Sequence, residues 1–465
     1  MLNGEIEKMK SSSSSSFFQD KTHNYNKKER CLNMVMLPPF FLSSLLVTVI
    51  FILFILYSPN PLKAMSKLDL GQTLDLIKPP NTTFLGDHDE ILNCDLSKGH
   101  WIPDLQGSLY TNSSCTTIPT SKNCFHHGRK DRDFLNWRWK PDRCHLPRFD
   151  PKTFLEFVQG KKLAFIGDSV ARNHMESLLC LLSKIYFQVF IAPFYLYRYQ
   201  CACFPICIVE TPKDHYQDSE DRKRVWYFPG HDFTLMILWT KFLVDGEERV
   251  VNGSTSGIFD LHLDKIDKEW SRDLPALDYV VISDAHWFFR PIYLHDDTGV
   301  VGCVYCNNPN VTDFGVGFAL KMAFRSALNH INCCKKCKVR VTLIRTFSPA
   351  HFENGSWNTG GRCNRTSPLS EGEIDLSSNE WELRGLQMEE IEKARIEGNK
   401  KGKRFGVLDV TRAMLMRPDG HPGEFWGNKW MKGYNDCVHW CLPGPIDVWN
   451  DFLMAILGRE AALVS

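Results

Sequence analysis

An apolar run from Phe40 to Tyr57, 18 residues without a charge, constrains everything that follows it in the chain. A helix of that length spans the roughly 30 Å hydrocarbon layer of a bilayer. A cleaved secretory leader has a shorter apolar region, about 7 to 15 residues, closed by a small-residue cleavage site. We therefore expect a transmembrane signal anchor over residues 36–57. Lys10, Lys27, Lys28 and Arg30 precede the run, and only Lys63 and Lys67 follow it closely. That asymmetry makes residues 1–35 a cytoplasmic tail and sends the remainder into the secretory lumen as a single-pass type II protein.

Two features agree with a luminal body. Of 17 cysteines only Cys31 precedes the run, and the other 16 form an even set suited to disulfides in an oxidising compartment. Asn-x-Ser/Thr acceptor sites at Asn81, Asn112, Asn252, Asn310, Asn354 and Asn364 all follow it, as expected of a glycoprotein. The tail holds a serine run, Ser11–Ser16, and too little apolar surface to fold. Residues 58–93, rich in Pro, Asn and Asp without a period, read as a stem. A Golgi membrane suits a span this short. The formal net charge of +1 excludes a global field drawing the chain to nucleic acid, and 43% hydrophobic residues suffice for a large core.

Residues 94–147 contain four cysteines, Trp101, Trp137, Trp139 and many turn formers, which predicts a small disulfide-stapled lobe. Beyond it, strand-like runs alternate with helix-like ones: 163–167, 170–185, 233–240, 277–287, 314–329, 339–347 and 405–410. Such alternation predicts an α/β domain over 148–465 with a central parallel sheet, because parallel strands need long crossovers. Its active site would sit at the carboxyl ends of the strands. The charged stretch 371–403 predicts a long exposed helix or insertion with a solvated face.

The sharpest local signal is Gly167-Asp168-Ser169, closing one apolar strand and opening an amphipathic helix. A serine there is displayed at the sheet edge with its own N–H at a helix start, ready for an oxyanion, and Gly167 permits the tight turn. Ser169 would equally serve as a plain helix cap. The balance is tipped by Asp436-Cys437-Val438-His439, whose spacing sets a carboxylate beside an imidazole as a serine nucleophile requires. Asp436 as a cap and His439 as a core histidine are the bland readings of that pair. Arg172 and Asn173, one turn into the helix, are candidate supports for the site. Cys303-x-x-Cys306 and Cys334-x-x-Cys337 would suit zinc in a cytosolic chain, but in a lumen they predict disulfides and no metal site. Cys437 and Cys441, flanking His439, should pin that turn to distant cysteines. Trp287, Trp357, Trp426 and Trp440 are the aromatic residues placed to stack on sugars, and 345–362 reads as an active-site loop.

Gly167-Asp168-Ser169 with Asp436-x-x-His439 resembles the GDSL/SGNH esterase-like group. The lobe from Cys94-Asp95 to Trp137-Arg138-Trp139-Lys140-Pro141, the run Ser169-Val170-Ala171-Arg172-Asn173, His286-Trp287-Phe288 and Asp436 to Gly444 more closely resemble the plant trichome birefringence-like proteins. Members of that family O-acetylate cell-wall polysaccharides. Cys180-Leu181-Leu182-Ser183 and Trp287-Phe288-Phe289-Arg290-Pro291 are similar to the xyloglucan O-acetyltransferases within it. At 284–285 this chain has Asp-Ala where the family has Ser-Gly before His-Trp.

The resemblance implies an SGNH-hydrolase-like sandwich with Ser169 as nucleophile, His439 as general base and Asp436 orienting it. Ser169, Gly167, Arg172 and Asn173 would form or support the oxyanion site, and His286, Trp287, Trp357 and Asn358 would meet the glycan. It further implies an acetyl donor, acetyl-CoA or another acetylated intermediate, with no bound cofactor. The expected acceptor is a plant cell-wall polysaccharide, in first place the side-chain galactose of xyloglucan. A carbohydrate acetylesterase, or transfer to xylan, mannan or pectin, is the alternative.

Overall fold

The computed structural model describes residues 94–183, 212–427 and 433–462. The expected tail, anchor and stem, the acceptor site at Asn81, and Cys31, Cys201, Cys203 and Cys207 lie outside the described residues. Among the described residues no helix is long and apolar enough to cross a membrane.

The lobe has little regular structure with which to hold itself together. Its two strands, β1 (Gly99–Pro103) and β2 (Trp137–Pro141), form an isolated antiparallel pair. Covalent links do the rest. Cys94–Cys144 closes the lobe, while Cys115–Cys180 and Cys124–Cys441 tie it to the following domain. The indole N–H of Trp101 donates to the Ala413 carbonyl at 2.8 Å, and Trp139 is fully buried. The lobe thus covers part of the domain's core.

That domain begins with helix α1 (Pro151–Phe157), capped by Asp150, and strand β3 (Lys162–Gly167). Leu163, Ala164, Phe165 and Ile166 are all fully buried, so β3 needs cover on both faces. Leu163 and Phe165 join a core with helix α2 (Ser169–Leu182). Ala164 and Ile166, pointing the other way, join a second core. The sheet's remaining strands are β4 (Lys213–Gln217), β5 (Lys223–Phe228), β6 (Phe233–Trp239), β9 (Tyr279–Ser283), β12 (Val341–Arg345) and β13 (Arg404–Leu408). Their order is β13-β12-β9-β3-β6-β5-β4. The five strands from β13 to β6 run parallel, and β5 and β4 are added antiparallel at one edge.

Helix α3 (Gly315–Cys333) and helix α4 (Asn379–Asn399) supply the second core, while helix α5 (Val448–Ala462) supplies the first. The charged stretch is therefore only half solvated. Helix α4 buries Leu383, Ile391 and Ala394, and its Glu390 carboxylate is met bidentately by Arg325 of α3 at 2.8 and 2.9 Å. A smaller sheet, with β7 (Val244–Val251), β8 (Ser254–Ile266), β10 (Ile292–Asp296) and β11 (Gly299–Val304) in the order β11-β10-β8-β7, was not expected from the sequence. Asn252 and Gly253, at φ 52° and 76°, form the two-residue turn between β7 and β8.

Candidate active site

Two segments 270 residues apart meet at the carboxyl ends of the parallel strands. The first is the turn from β3 into α2. Gly167 has φ 147°, and a Cβ on it would lie 1.9 Å from the Ser283 carbonyl oxygen of β9, so only glycine fits. Asp168, not Ser169, caps the helix: its Oδ1 accepts the Val170 N–H at 2.8 Å. Its Oδ2 accepts the N–H groups of Ala285 and His286, at 3.2 and 3.0 Å. One buried carboxylate therefore fixes the nucleophile turn and the loop after β9 together. Burial pushes this carboxyl up, but His286 and Arg345 more than offset that and hold it well below the usual carboxylate range. Ser169 is left at the first helical position, half-buried, its hydroxyl free of capping duty.

The second segment is a bend around 436–441, not a helical turn. Asp436 Oδ1 accepts the N–H groups of Val438 and His439 at 3.1 and 3.0 Å, and Oδ2 accepts from His439 Nδ1 at 2.8 Å. One carboxylate thus shapes the bend and orients the ring. Burial raises the Asp436 carboxyl, and the His439 contacts more than offset this and hold it well below its ordinary value. With the Nδ1 proton committed, His439 Nε2 accepts from Ser169 Oγ at 2.7 Å.

Around this triad the bend is anchored on every side. Gly423 and Asp436 exchange backbone hydrogen bonds of 2.9 and 3.0 Å, and His351 N–H donates to the Cys437 carbonyl at 3.1 Å. Disulfides Cys363–Cys437 and Cys124–Cys441 pin it on both flanks of His439. Asn173 is fully buried and exchanges both its amide groups with the Trp440 backbone, accepting at 2.8 Å and donating at 3.3 Å. It ties helix α2 to the bend and does not point at the reaction centre. Arg172 is engaged outward with Asp221, at 2.6 Å to the carboxylate.

A histidine chain underlies the bend. A carbonyl oxygen can only accept, so His421 Nδ1–H donates to His439 O at 2.7 Å. His351 Nε2–H likewise donates to the Leu415 carbonyl at 3.2 Å, and His421 Nε2 and His351 Nδ1 face each other at 2.7 Å. Burial depresses both, His421 well below its ordinary value and His351 to about 4. Trp440 is fully buried, stacks on His421 at 4.1 Å and donates to Ser348 Oγ at 2.9 Å, so it is a core residue and not a sugar platform. Arg345, Ser348 and His351 lie in the stretch 345–362 read as an active-site loop, though none was singled out in it, and His421 escaped the sequence reading, since it belongs to no local motif.

Of the residues expected to meet a glycan, His286 bonds the Ser348 carbonyl at 3.0 Å and stacks on Phe347. It serves the frame of the site. Trp287 is half-buried against Trp239 and Phe242. Trp357 is 52% exposed, and its neighbour Asn358 accepts from Ser356 Oγ at 2.7 Å. Both sit on a loop joined to the bend through Asn435 Nδ2 and the Gly361 carbonyl, at 3.2 Å. Trp426 is half-buried, donating to the Tyr434 carbonyl. Ala285, the departure from the family's glycine, has its N–H committed to Asp168, which leaves the N–H of Ser169 as the helix-start donor beside the hydroxyl. Asp284 is fully buried, and neither carboxylate oxygen has a hydrogen-bond partner among the described residues. Burial and the Asp168 charge push its pKa well above the ordinary value. Cys303–Cys306 and Cys334–Cys337 are disulfides, and Cys333 is free. Asn252, Asn310, Asn354 and Asn364 are exposed, and Asn112 is half-exposed.

Residues 146–456 match the PC-Esterase family model, described as the GDSL/SGNH-like Acyl-Esterase family found in Pmr5 and Cas1p. Residues 92–145 match the PMR5 N terminal Domain. Over 433 residues, 93% of this chain and 95% of the relative, the chain is 63% identical to Xyloglucan O-acetyltransferase 4 of Populus trichocarpa. It is 53% identical to xyloglucan O-acetyltransferase 2 of Arabidopsis thaliana over 447 residues, 96% of this chain and 99% of the relative. Protein trichome birefringence-like 19 of Arabidopsis thaliana is 41% identical over 375 residues, 79% of this chain and 82% of the relative.

Proposed function

Because the chain belongs to the GDSL/SGNH-like acyl-esterase family found in Pmr5 and Cas1p, we propose that its Ser169–His439–Asp436 array transfers acetyl groups by double displacement. The protein is a polysaccharide O-acetyltransferase. The observation that carries the mechanism is the unbroken hydrogen-bond line from Asp436 through His439 to Ser169 Oγ, with links of 2.8 and 2.7 Å.

In the first half-reaction His439 Nε2 takes the hydroxyl proton as Ser169 Oγ attacks the donor's acetyl carbonyl. Negative charge gathers on the carbonyl oxygen beside the Ser169 N–H, and the leaving group departs with the proton from His439. The acetyl-serine is then attacked by a sugar hydroxyl, whose proton passes to His439 and back to Ser169 Oγ as the ester forms. Asp436, held ionised, keeps the imidazole in the needed tautomer and stabilises the imidazolium. Arg345, fully buried and pushed down to about 10 by burial, stays cationic beside Asp168 and steadies the carboxylate that caps the nucleophile helix.

The acceptor we assign is xyloglucan, a reading supported by the names of the relatives above 50% identity, and within it we take a side-chain galactose hydroxyl as the target. The donor is an activated acetyl ester or thioester such as acetyl-CoA. The charge-free run Phe40–Tyr57 and the surface position of the acceptor asparagines support a type II Golgi glycoprotein. Mass analysis of xyloglucan oligosaccharides after incubation with donor tests the whole. One added acetyl per acceptor is expected, with none when Ser169→Ala replaces the wild type. Transfer to xylan or mannan alone would move the substrate, and acetate release without transfer to any glycan would make the protein an esterase.

A further inference from the structure

A cavity of about 560 Å³ lies at the carboxyl end of β6, one strand from the nucleophile, and none of the triad lines it. Its wall includes Trp239 and Thr240. Trp239 is in register with Gly167, and the Thr240 N–H donates to the Gly167 carbonyl at 2.9 Å. Arg222, also in the wall, accepts the Trp239 N–H on its carbonyl, and its neighbour Asp221 holds Arg172 in the same first turns of α2 that begin with Ser169. The cavity and the reacting hydroxyl are thus set at adjacent strand ends, bonded to each other through Thr240 and Gly167, and Asp221 beside the wall is tied to helix α2.

The chemistry of the wall is that of a sugar site. Trp239 is half-buried, with its ring held edge to face at 5.9 Å by Trp287, so an indole is fixed in place without being consumed. The Lys241 ammonium forms no ion pair among the described residues; it rests 5.0 Å from the ring centres of both Phe259 and Trp287. Glu247 is exposed into the cavity mouth, and Glu248 has given one oxygen to the Gly257 N–H at 2.8 Å, keeping the other. Hydroxyl groups both donate and accept, and a rim offering carboxylates beside an ammonium around an aromatic face satisfies them in both senses. Five acidic residues against three basic ones line the cavity, a formal balance of 3 − 5 = −2. That excess disfavours a phosphate-bearing donor and leaves an uncharged ligand.

We propose that this cavity is an acceptor subsite, binding the sugar residues next to the one being acetylated, with Trp239 as platform and Lys241, Glu247 and Glu248 as hydroxyl partners. The proposal rests on the acetyl-transfer reading of Ser169. Titration calorimetry of the full chain with xyloglucan oligosaccharides, and separately with CoA, is the test, run on wild type, Glu247→Gln and Lys241→Ala. Both substitutions change half-exposed or exposed side chains, and circular dichroism monitors their fold. Oligosaccharide affinity should fall about tenfold or more in each variant, with the KM for transfer rising in step. Affinity and KM unchanged in both variants, while transfer proceeds, would overturn the subsite alone. CoA binding that is lost in Lys241→Ala would overturn it in favour of a donor site. Oligosaccharide binding that depends on these residues, in a protein that transfers no acetyl group, would sustain the subsite and overturn the acetyl-transfer reading instead.

Discussion

Replacing Gly167 by alanine would drive a methyl group to 1.9 Å from the Ser283 carbonyl, at a φ that other residues avoid. We expect a loss of about 3 kcal/mol or more, or no folded protein at all; thermal melting of Gly167→Ala within a degree of wild type would refute this. Asn173 makes a subtler case. Its amide holds the backbone next to His439 without reaching the reacting atoms, so Asn173→Ala should lower kcat by about ten- to a hundredfold and leave KM within twofold. A rise in KM at constant kcat would show instead that the residue shapes the acceptor site. At this scale the sequence yielded what lies in local motifs. Ser169, Asp436 and His439 stand in two short runs whose chemistry is readable without a fold. His421 and Ser348 are isolated residues in loops, and only the tertiary packing of Trp440 between them gives them a place in the site.

Among elements, the bend bearing His439 is held by backbone bonds to Gly423 and His351 and by two disulfides, and it contains no regular structure of its own. Removing Cys363–Cys437 with a paired Cys363→Ser/Cys437→Ser change should therefore cut acetyl transfer at least tenfold while the far-ultraviolet dichroism of the sheet persists. Wild-type kcat in that protein would mean that the backbone bonds alone suffice. The parallel strands were legible because continuous apolar runs mark strands buried on both faces. The second sheet was not, since β7 and β8 mix charged and apolar residues; Asn252-Gly253 between them is a hairpin signal that the glycosylation motif at the same asparagine obscured. Helix α4 reads as solvated because its interior face includes Gln387 and Glu390, and the partner that makes the carboxylate tolerable, Arg325, lies on another helix.

At the scale of the whole molecule, the contribution of Asp447 to stability should decline from mildly acidic to neutral pH, against the rising contributions of the depressed His351 and His421. Burial pushes the Asp447 carboxyl up to about 7, although Ser177 Oγ and Tyr110 OH, at 2.6 and 2.9 Å, favour its ionised form. Between the unfolded value near 3.8 and the folded value near 7 the native state carries the extra proton, so this contribution falls as pH rises through that window and levels off above it. The slope from one such group is about 1.4 kcal/mol per pH unit. Asp447→Asn should make the melting temperature rise more, or fall less, with pH across that window, and an unchanged profile would remove Asp447 as a contributor. The reach of the triad across 270 residues has a consequence in time. At roughly 5 to 20 residues added per second, the segment carrying Ser169 is made about a quarter to most of a minute before the one carrying His439. Throughout that interval the nucleophile has no base and Cys124 no Cys441 to pair with, so a nascent chain cannot acetylate anything until its late segment has crossed back to its early one.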